Sequence, residues 1–186
     1  MAARCGGRVA HGCITITSVR NNFLVATPPT ELTPDGRYLV IGGRKWRASD
    51  PGIPEPLRAE LVSELMAARR DVRRDPETAR PRVNDAKIAL GERGAAWWEP
   101  TDAGQRQRLA AAMRVLLRNR APEATICPSD AARVVGGAAW RDLMAQAREV
   151  AADLAREGVI TVRQAGREVE PAEASGPIRL GRGRNW

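Results

Sequence analysis

Residues 105–181 carry three helical periodicities followed by strand and turn signals, and that order constrains the fold more than any other feature of the chain. From Gln105 to Asn119, Leu109, Ala112, Met113, Leu116 and Leu117 recur at helical spacing until Ala121-Pro122 ends the run. Ser129 is a good N-cap for a short helix to about Val135, closed by Gly136-Gly137. Trp140 to Arg156 reads as a third helix, with Trp140, Leu143, Ala147, Val150 and Leu154 on one face and Gly158 as its stop. Val159 to Gln164 then reads as a strand, Ala165-Gly166 as a turn and Arg167-Glu168-Val169 as a short return. Thr125-Ile126-Cys127 and Ile178-Arg179-Leu180 suit further short strands.

Residues 34–100 read as a smaller unit. Arg37 to Ile41 and Arg44 to Ala48 are strands around Gly42-Gly43, a pair that supplies the positive φ of a two-residue hairpin turn. A lone hairpin is marginal in water, so it must pack on the helices C-terminal to it. Ser49-Asp50-Pro51 and Pro54 set a helix start, and Leu57, Leu61, Leu65 and Val72 continue it to Asp75-Pro76. A second helix is expected over Arg82 to Leu90, with Gly91 as its stop. Thr101 to Gly104 is the expected linker. Residues 1–33 show no period and read as a disordered or over-long N-terminal extension, and 182–186 as a basic tail. The expected class is α+β, mostly helical: a hairpin with two helices, then the three-helix-and-hairpin unit.

The net charge is +8, and only Lys45 and Lys87 among the 30 basic residues are lysine. Arginine presents a rigid fork of donors suited to phosphates and guanine edges. No apolar run approaches the length of about 18 residues that a membrane span needs, and residues 9–25 are too polar for a secretory signal, so a cytoplasmic protein is expected. Cys5 and Cys13 flank the only histidine, His11, with no fourth ligand at zinc spacing, so no metal or other cofactor is expected. Cys127 reads as a small apolar residue rather than a nucleophile.

Three helices followed by a hairpin is the outline of a winged helix. Thr125-Ile126-Cys127-Pro128-Ser129, Trp140-Arg141-Asp142-Leu143-Met144 and Gly176-Pro177-Ile178-Arg179-Leu180 resemble the bacterial domain-of-unknown-function family 3253, a group of small winged-helix-like domains. That resemblance covers residues 105–181. Arg44-Lys45-Trp46-Arg47-Ala48, Glu64 to Arg70, Gly91-Glu92-Arg93-Gly94 and Trp97-Trp98-Glu99-Pro100 resemble small bacterial proteins sometimes labelled biopolymer transporters of the Tol type. Neither resemblance implies catalytic residues.

In a winged helix the third helix reads a groove and the hairpin is the wing. The expected nucleic-acid contacts are Arg141, Gln146 and Arg148 on the third helix, Arg163, Gln164 and Arg167 on the wing, and Arg179, Arg182 and Arg184 near the chain end. Asp142, Glu149, Asp153, Glu168 and Glu170 oppose phosphate at the same surfaces. Duplex DNA is therefore one expected partner, and a protein or a second copy of the chain is the alternative. One of Trp97 and Trp98 is expected to pack under the hairpin against Trp46, and core packing is favoured over base stacking. Arg69, Arg70, Arg73 and Arg74, interleaved with Asp71, Asp75 and Glu77, read as a solvated ion-pair face. No Walker-type glycine loop and no Ser–His–Asp set is present, and no small-molecule substrate suggests itself, so a non-enzymatic role is expected.

Overall fold

The computed structural model describes residues 31–186. The extension expected over 1–33, including Cys5, His11 and Cys13, falls outside them except for its last three residues. Those three are ordered. Glu31–Leu32 forms β1, which pairs antiparallel with β2 (Tyr38–Ile41), and β2 pairs with β3 (Arg44–Arg47). A two-residue strand is too short to give a periodic signal, and only its pairing defines it. Gly42 and Gly43 take φ of 56° and 76°, the left-handed pair that a tight hairpin requires.

Helix α1 spans Glu55–Asp71 and buries Leu57, Leu61, Leu65 and Ala68. Helix α2 spans Pro76–Ala89, starting six residues before the expected Arg82. Asp75 caps it by accepting the Thr78 N–H at 3.2 Å, and Pro76 occupies a first-turn position whose missing donor is no loss. Pro81 lies inside the helix on its exposed side, where a proline forgoes one backbone bond.

Helix α3 (Asp102–Asn119) begins where a linker was expected, with Thr101 accepting the Gly104 N–H at 3.1 Å. Helix α4 (Pro128–Gly136) is capped at Cys127, not at Ser129. The Asp130 carboxylate accepts the Cys127 N–H at 3.2 Å, and Pro128 fills the first turn. The segment expected as one helix from Trp140 is instead a 3-10 helix over Gly137–Leu143, followed by α5 (Met144–Arg156). Gly137, at φ 51°, passes so close to the Gly52 carbonyl that a Cβ would sit 2.9 Å from it. That close approach and the non-helical Ala139 hold the chain out of regular helix until Met144. Strands β4 (Ile160–Gln164), β5 (Arg167–Glu168) and β6 (Arg179–Arg182) complete the chain, ordered β5-β4-β6, and Ile126 bridges Leu180 on the far side of β6.

One hydrophobic core runs from Ile53 to Leu180. Helix α3 is its axis: Leu109, Ala112, Met113, Val115, Leu116 and Leu117 are fully buried. It packs on α1 and α2 on one side and on α4 and α5 on the other. The α+β, mostly helical class is as expected, and one core cluster draws residues from both sides of Thr101–Gly104. Among the described residues no helix is long and apolar enough to cross a membrane.

Candidate functional site

Much of the arginine excess is engaged within the fold. Arg82 of α2 meets Glu64 at 2.7 Å and Asp71 at 2.9 Å on α1. Arg114 and Arg118 of α3 share Asp85 of α2. Arg120 grips Glu60 of α1 through two hydrogen bonds of 2.9 Å. The hydrogen bonds from Glu64 and Glu60 raise the pKa of Arg82 and Arg120 respectively above the ordinary arginine value. These pairs tie α1, α2 and α3 together.

The nine expected contact residues divide into two sets. Arg148 of α5 donates to the Gly176 carbonyl at 3.0 Å and the Ala174 carbonyl at 2.8 Å. Gln164 donates to the Ser175 carbonyl beside them. Together they draw the loop between β5 and β6 against α5. Gln146 donates to Asp102 at 2.6 Å, so it faces the start of α3. Arg179 holds Thr125 through its hydroxyl at 3.0 Å and its carbonyl at 2.9 Å. Arg182 donates to the carbonyls of Leu117 at 2.8 Å and Arg120 at 3.0 Å, closing the C-terminal end of α3. Five of the nine are thus internal fasteners.

Arg141, Arg163, Arg167 and Arg184 have no hydrogen-bond or ion-pair partner among the described residues. They do not form one patch. Arg141 lies in the 3-10 segment before α5, its guanidinium 4.6 Å from the Trp140 ring, which Arg133 approaches to 4.5 Å. Trp140, read with Leu143 and Ala147 on one face, is half-buried: it packs against the core and lies beside these two cations. Arg163 and Arg184 lie at the other end of α5 and line a groove of about 630 Å³. Thr161, whose buried hydroxyl has no partner among the described residues, lines the same groove, as do Arg156, Glu168 and Glu170. Arg167 is exposed at the tip of the hairpin.

The acidic side of α5 is partly neutralised from α3. Arg106 reaches Glu149 at 2.8 Å and Asp153 at 2.9 Å, and the hydrogen bond from Glu149, then that from Asp153, raises its pKa. The outward surface of this helix therefore carries paired charge, the exposed Ala145, and its own strapped loop.

The unit with this geometry has a family counterpart. Residues 106–183 match the model of a protein family of unknown function, DUF3253. The match begins in the second turn of α3 and ends just beyond β6, so the matched segment contains the Ile126 bridge, α4, α5 and the whole β5-β4-β6 sheet. It agrees with the expected 105–181 to within two residues. No curated protein matches the chain.

In the N-terminal half, Trp98 packs edge-on to Tyr38 at 5.6 Å and to Trp97 at 5.1 Å, with Arg37 and Arg47 over its ring. The Trp97 indole donates to the Ala48 carbonyl at 3.1 Å. Packing under the hairpin was expected, but against Trp46. Trp46 pairs with Leu39, one position out of phase with Tyr38, and so projects from the opposite face of the sheet.

The sequence reading missed the buried pair of Asp50 and Arg108. Its signal was available: Arg108 adjoins Leu109 and falls in the stripe of Ala111, Ala112 and Val115, where a charge has to find a partner. Nothing comparable flags the carbonyl-directed arginines, because their acceptors are backbone atoms distant in sequence.

Proposed function

We propose that residues 102–182 are a winged-helix module that acts by docking a protein partner, without catalysis of its own. Support for the winged-helix reading comes from element order: α3, the Ile126 bridge, α4 and α5, then the β4–β5 hairpin and β6, which pairs with β4 and meets Ile126. The observation that carries the docking reading is the strap from Arg148 to the Ala174 and Gly176 carbonyls. A helix that reads a DNA groove needs an outward face open to base edges. Here the loop between β5 and β6 leans on that helix, and the carboxylates of Asp142, Glu149 and Asp153 oppose phosphate on the same helix. A mixed-charge face with small apolar residues suits a protein surface better.

A second reading rests on Arg163, Arg167 and Arg184, whose unpaired guanidiniums could meet phosphate without sequence preference. One pair of measurements separates the two. A photo-crosslinking residue placed at exposed Ala145 is expected to give a protein adduct in cells. Titration of the purified chain with random duplex DNA over a salt series is expected to show no binding that depends on salt. Binding at about micromolar affinity that falls steeply with salt, and that Arg163→Ala with Arg167→Ala removes, would replace the first reading by the second.

A further inference from the structure

The N-terminal sheet presents an open edge and an apolar face on the same side of the molecule. Leu32, Leu39 and Trp46 lie in one row across β1, β2 and β3, by the pairing of Leu32 with Leu39 and Leu39 with Trp46. Leu32 is 56% exposed and Trp46 50%, although a half-buried sheet would normally cover such a row. A cleft of about 370 Å³ separates this face from the helices, with Leu39, Ile41 and Trp46 on one wall and Arg69 and Lys87 on the other.

The outer edge of β3 has no neighbouring strand among the described residues. The Ala48 N–H donates to the Arg37 carbonyl at 2.9 Å, which makes that pair a hydrogen-bonded one. By the alternation of antiparallel ladders, Leu39–Trp46 and Ile41–Arg44 are hydrogen-bonded pairs too. Lys45 and Arg47 therefore direct their backbone N–H and C=O groups away from β2, towards the open edge. Around that edge stand Arg44, Lys45 and Arg69, none with a carboxylate partner among the described residues, and Glu92 is the one acidic group lining the cleft.

We propose that this edge accepts an acidic, extended segment of a partner protein, which adds as a fourth strand beside β3 and lays apolar side chains against Trp46 and Leu39. Charge selects the occupant. Basic side chains on an edge ordinarily keep strands from pairing, and here they would repel a second copy of this basic chain. Lys45 projects from the face opposite Trp46 and attracts a strand of alternating carboxylates, whose other side chains then fall on the apolar row, the face that also carries Arg44. A nucleic acid fits less well. Among the described residues Trp46 is the one aromatic ring lining the cleft, too few for successive bases, and a nucleotide backbone cannot match alternating N–H and C=O groups. This proposal stands independently of the reading of the C-terminal face.

Fluorescence polarisation with the full chain tests it. The probe is a short labelled peptide alternating Glu and Val, compared with the same peptide N-methylated at alternate amides, a Lys-for-Glu peptide, and labelled oligo-dT. Saturable binding of the acidic peptide alone is expected, weakened at least about tenfold in R44E/K45E and again in W46A. Both variants change exposed side chains, and unchanged circular dichroism verifies their fold. The idea is overturned if the acidic peptide does not bind, if the N-methylated peptide or the charge-reversed variant binds equally well, or if oligo-dT binds more tightly.

Discussion

Arg108 of α3 donates to the Asp50 carboxylate at 3.0 Å, and both side chains are almost wholly buried. The same guanidinium nitrogen reaches the Ala89 carbonyl at 3.2 Å and the Val134 carbonyl at 3.4 Å. Asp50 also accepts the Gly52 N–H at 2.8 Å, and its own N–H donates to Leu90 at 2.9 Å. One ion pair thereby joins the approach to α1 with the ends of α2 and α4 and the middle of α3. Burial pushes the Arg108 pKa down, against the pull of Asp50, and its Nε has no partner among the described residues. Asp50→Ala strands a buried cation and is expected to cost about 3–5 kcal/mol. Replacing both residues, Asp50→Leu with Arg108→Met, should recover most of that loss. Urea unfolding of the parent and the two variants checks it; equal losses in single and double variants would mean the pair is not coupled.

Arg182 closes the C-terminal end of α3, where helix carbonyls have no partner of their own. Arg182→Ala leaves the Leu117 and Arg120 carbonyls with one donor fewer and is expected to lower stability by about 1–3 kcal/mol. Arg184→Ala, two residues on and without such contacts, should change it little. Parallel thermal melts compare them.

Arg148→Ala removes both hydrogen bonds that hold the loop at Ala174 and Gly176. Faster amide exchange confined to residues 170–178 is expected, with α3 unchanged. Exchange measured by mass spectrometry at peptide level shows it; acceleration spread over α3 and α4 would mean that Arg148 supports the core instead.

Gly183 lies where an added Cβ would stand 2.2 Å from the Gly158 carbonyl oxygen. The obstacle is backbone on both sides, so no rotamer relieves it. Gly183→Ala should lose about 3 kcal/mol, whereas Gly166→Ala, with open space around its position, is strained only by its positive φ and should lose about 1 kcal/mol. Denaturant midpoints rank the two.

Hydrogen bonds from Arg74, then Arg82, hold the Asp71 carboxyl below its ordinary value of 3.8. A depressed carboxyl contributes stability that is fully present above the unfolded value and is lost as pH falls through the folded one. Asp71→Asn should therefore be less stable than the parent near neutrality. The gap should narrow as the pH drops below 3.8, as unfolding at neutral and acid pH would record.

Local signals in the sequence determined the elements. Gly42-Gly43 dictated a hairpin, the Leu57–Leu65 and Leu109–Leu117 stripes dictated core helices, and Ile126 as a one-bridge strand and Ile178 to Leu180 as a third strand were legible. Turn chemistry and periodicity act within a few residues, so they can be read without knowing the rest of the chain. Boundaries were less legible. The expected start of α2 at Arg82 missed the turn that the Asp75 cap sets at Pro76, and the delayed start of α5 depends on Gly137 meeting Gly52, far away in sequence.

Which arginines are free was decided by tertiary structure alone. Arg148, Arg179 and Arg182 have the same chemistry as Arg163 and Arg167, yet they end on carbonyls of Ala174, Thr125 and Leu117. A guanidinium binds whatever acceptor the fold brings within reach. Composition therefore fixed how many cations this chain carries, and the packing of α3, α5 and the two sheets fixed which of them face outward.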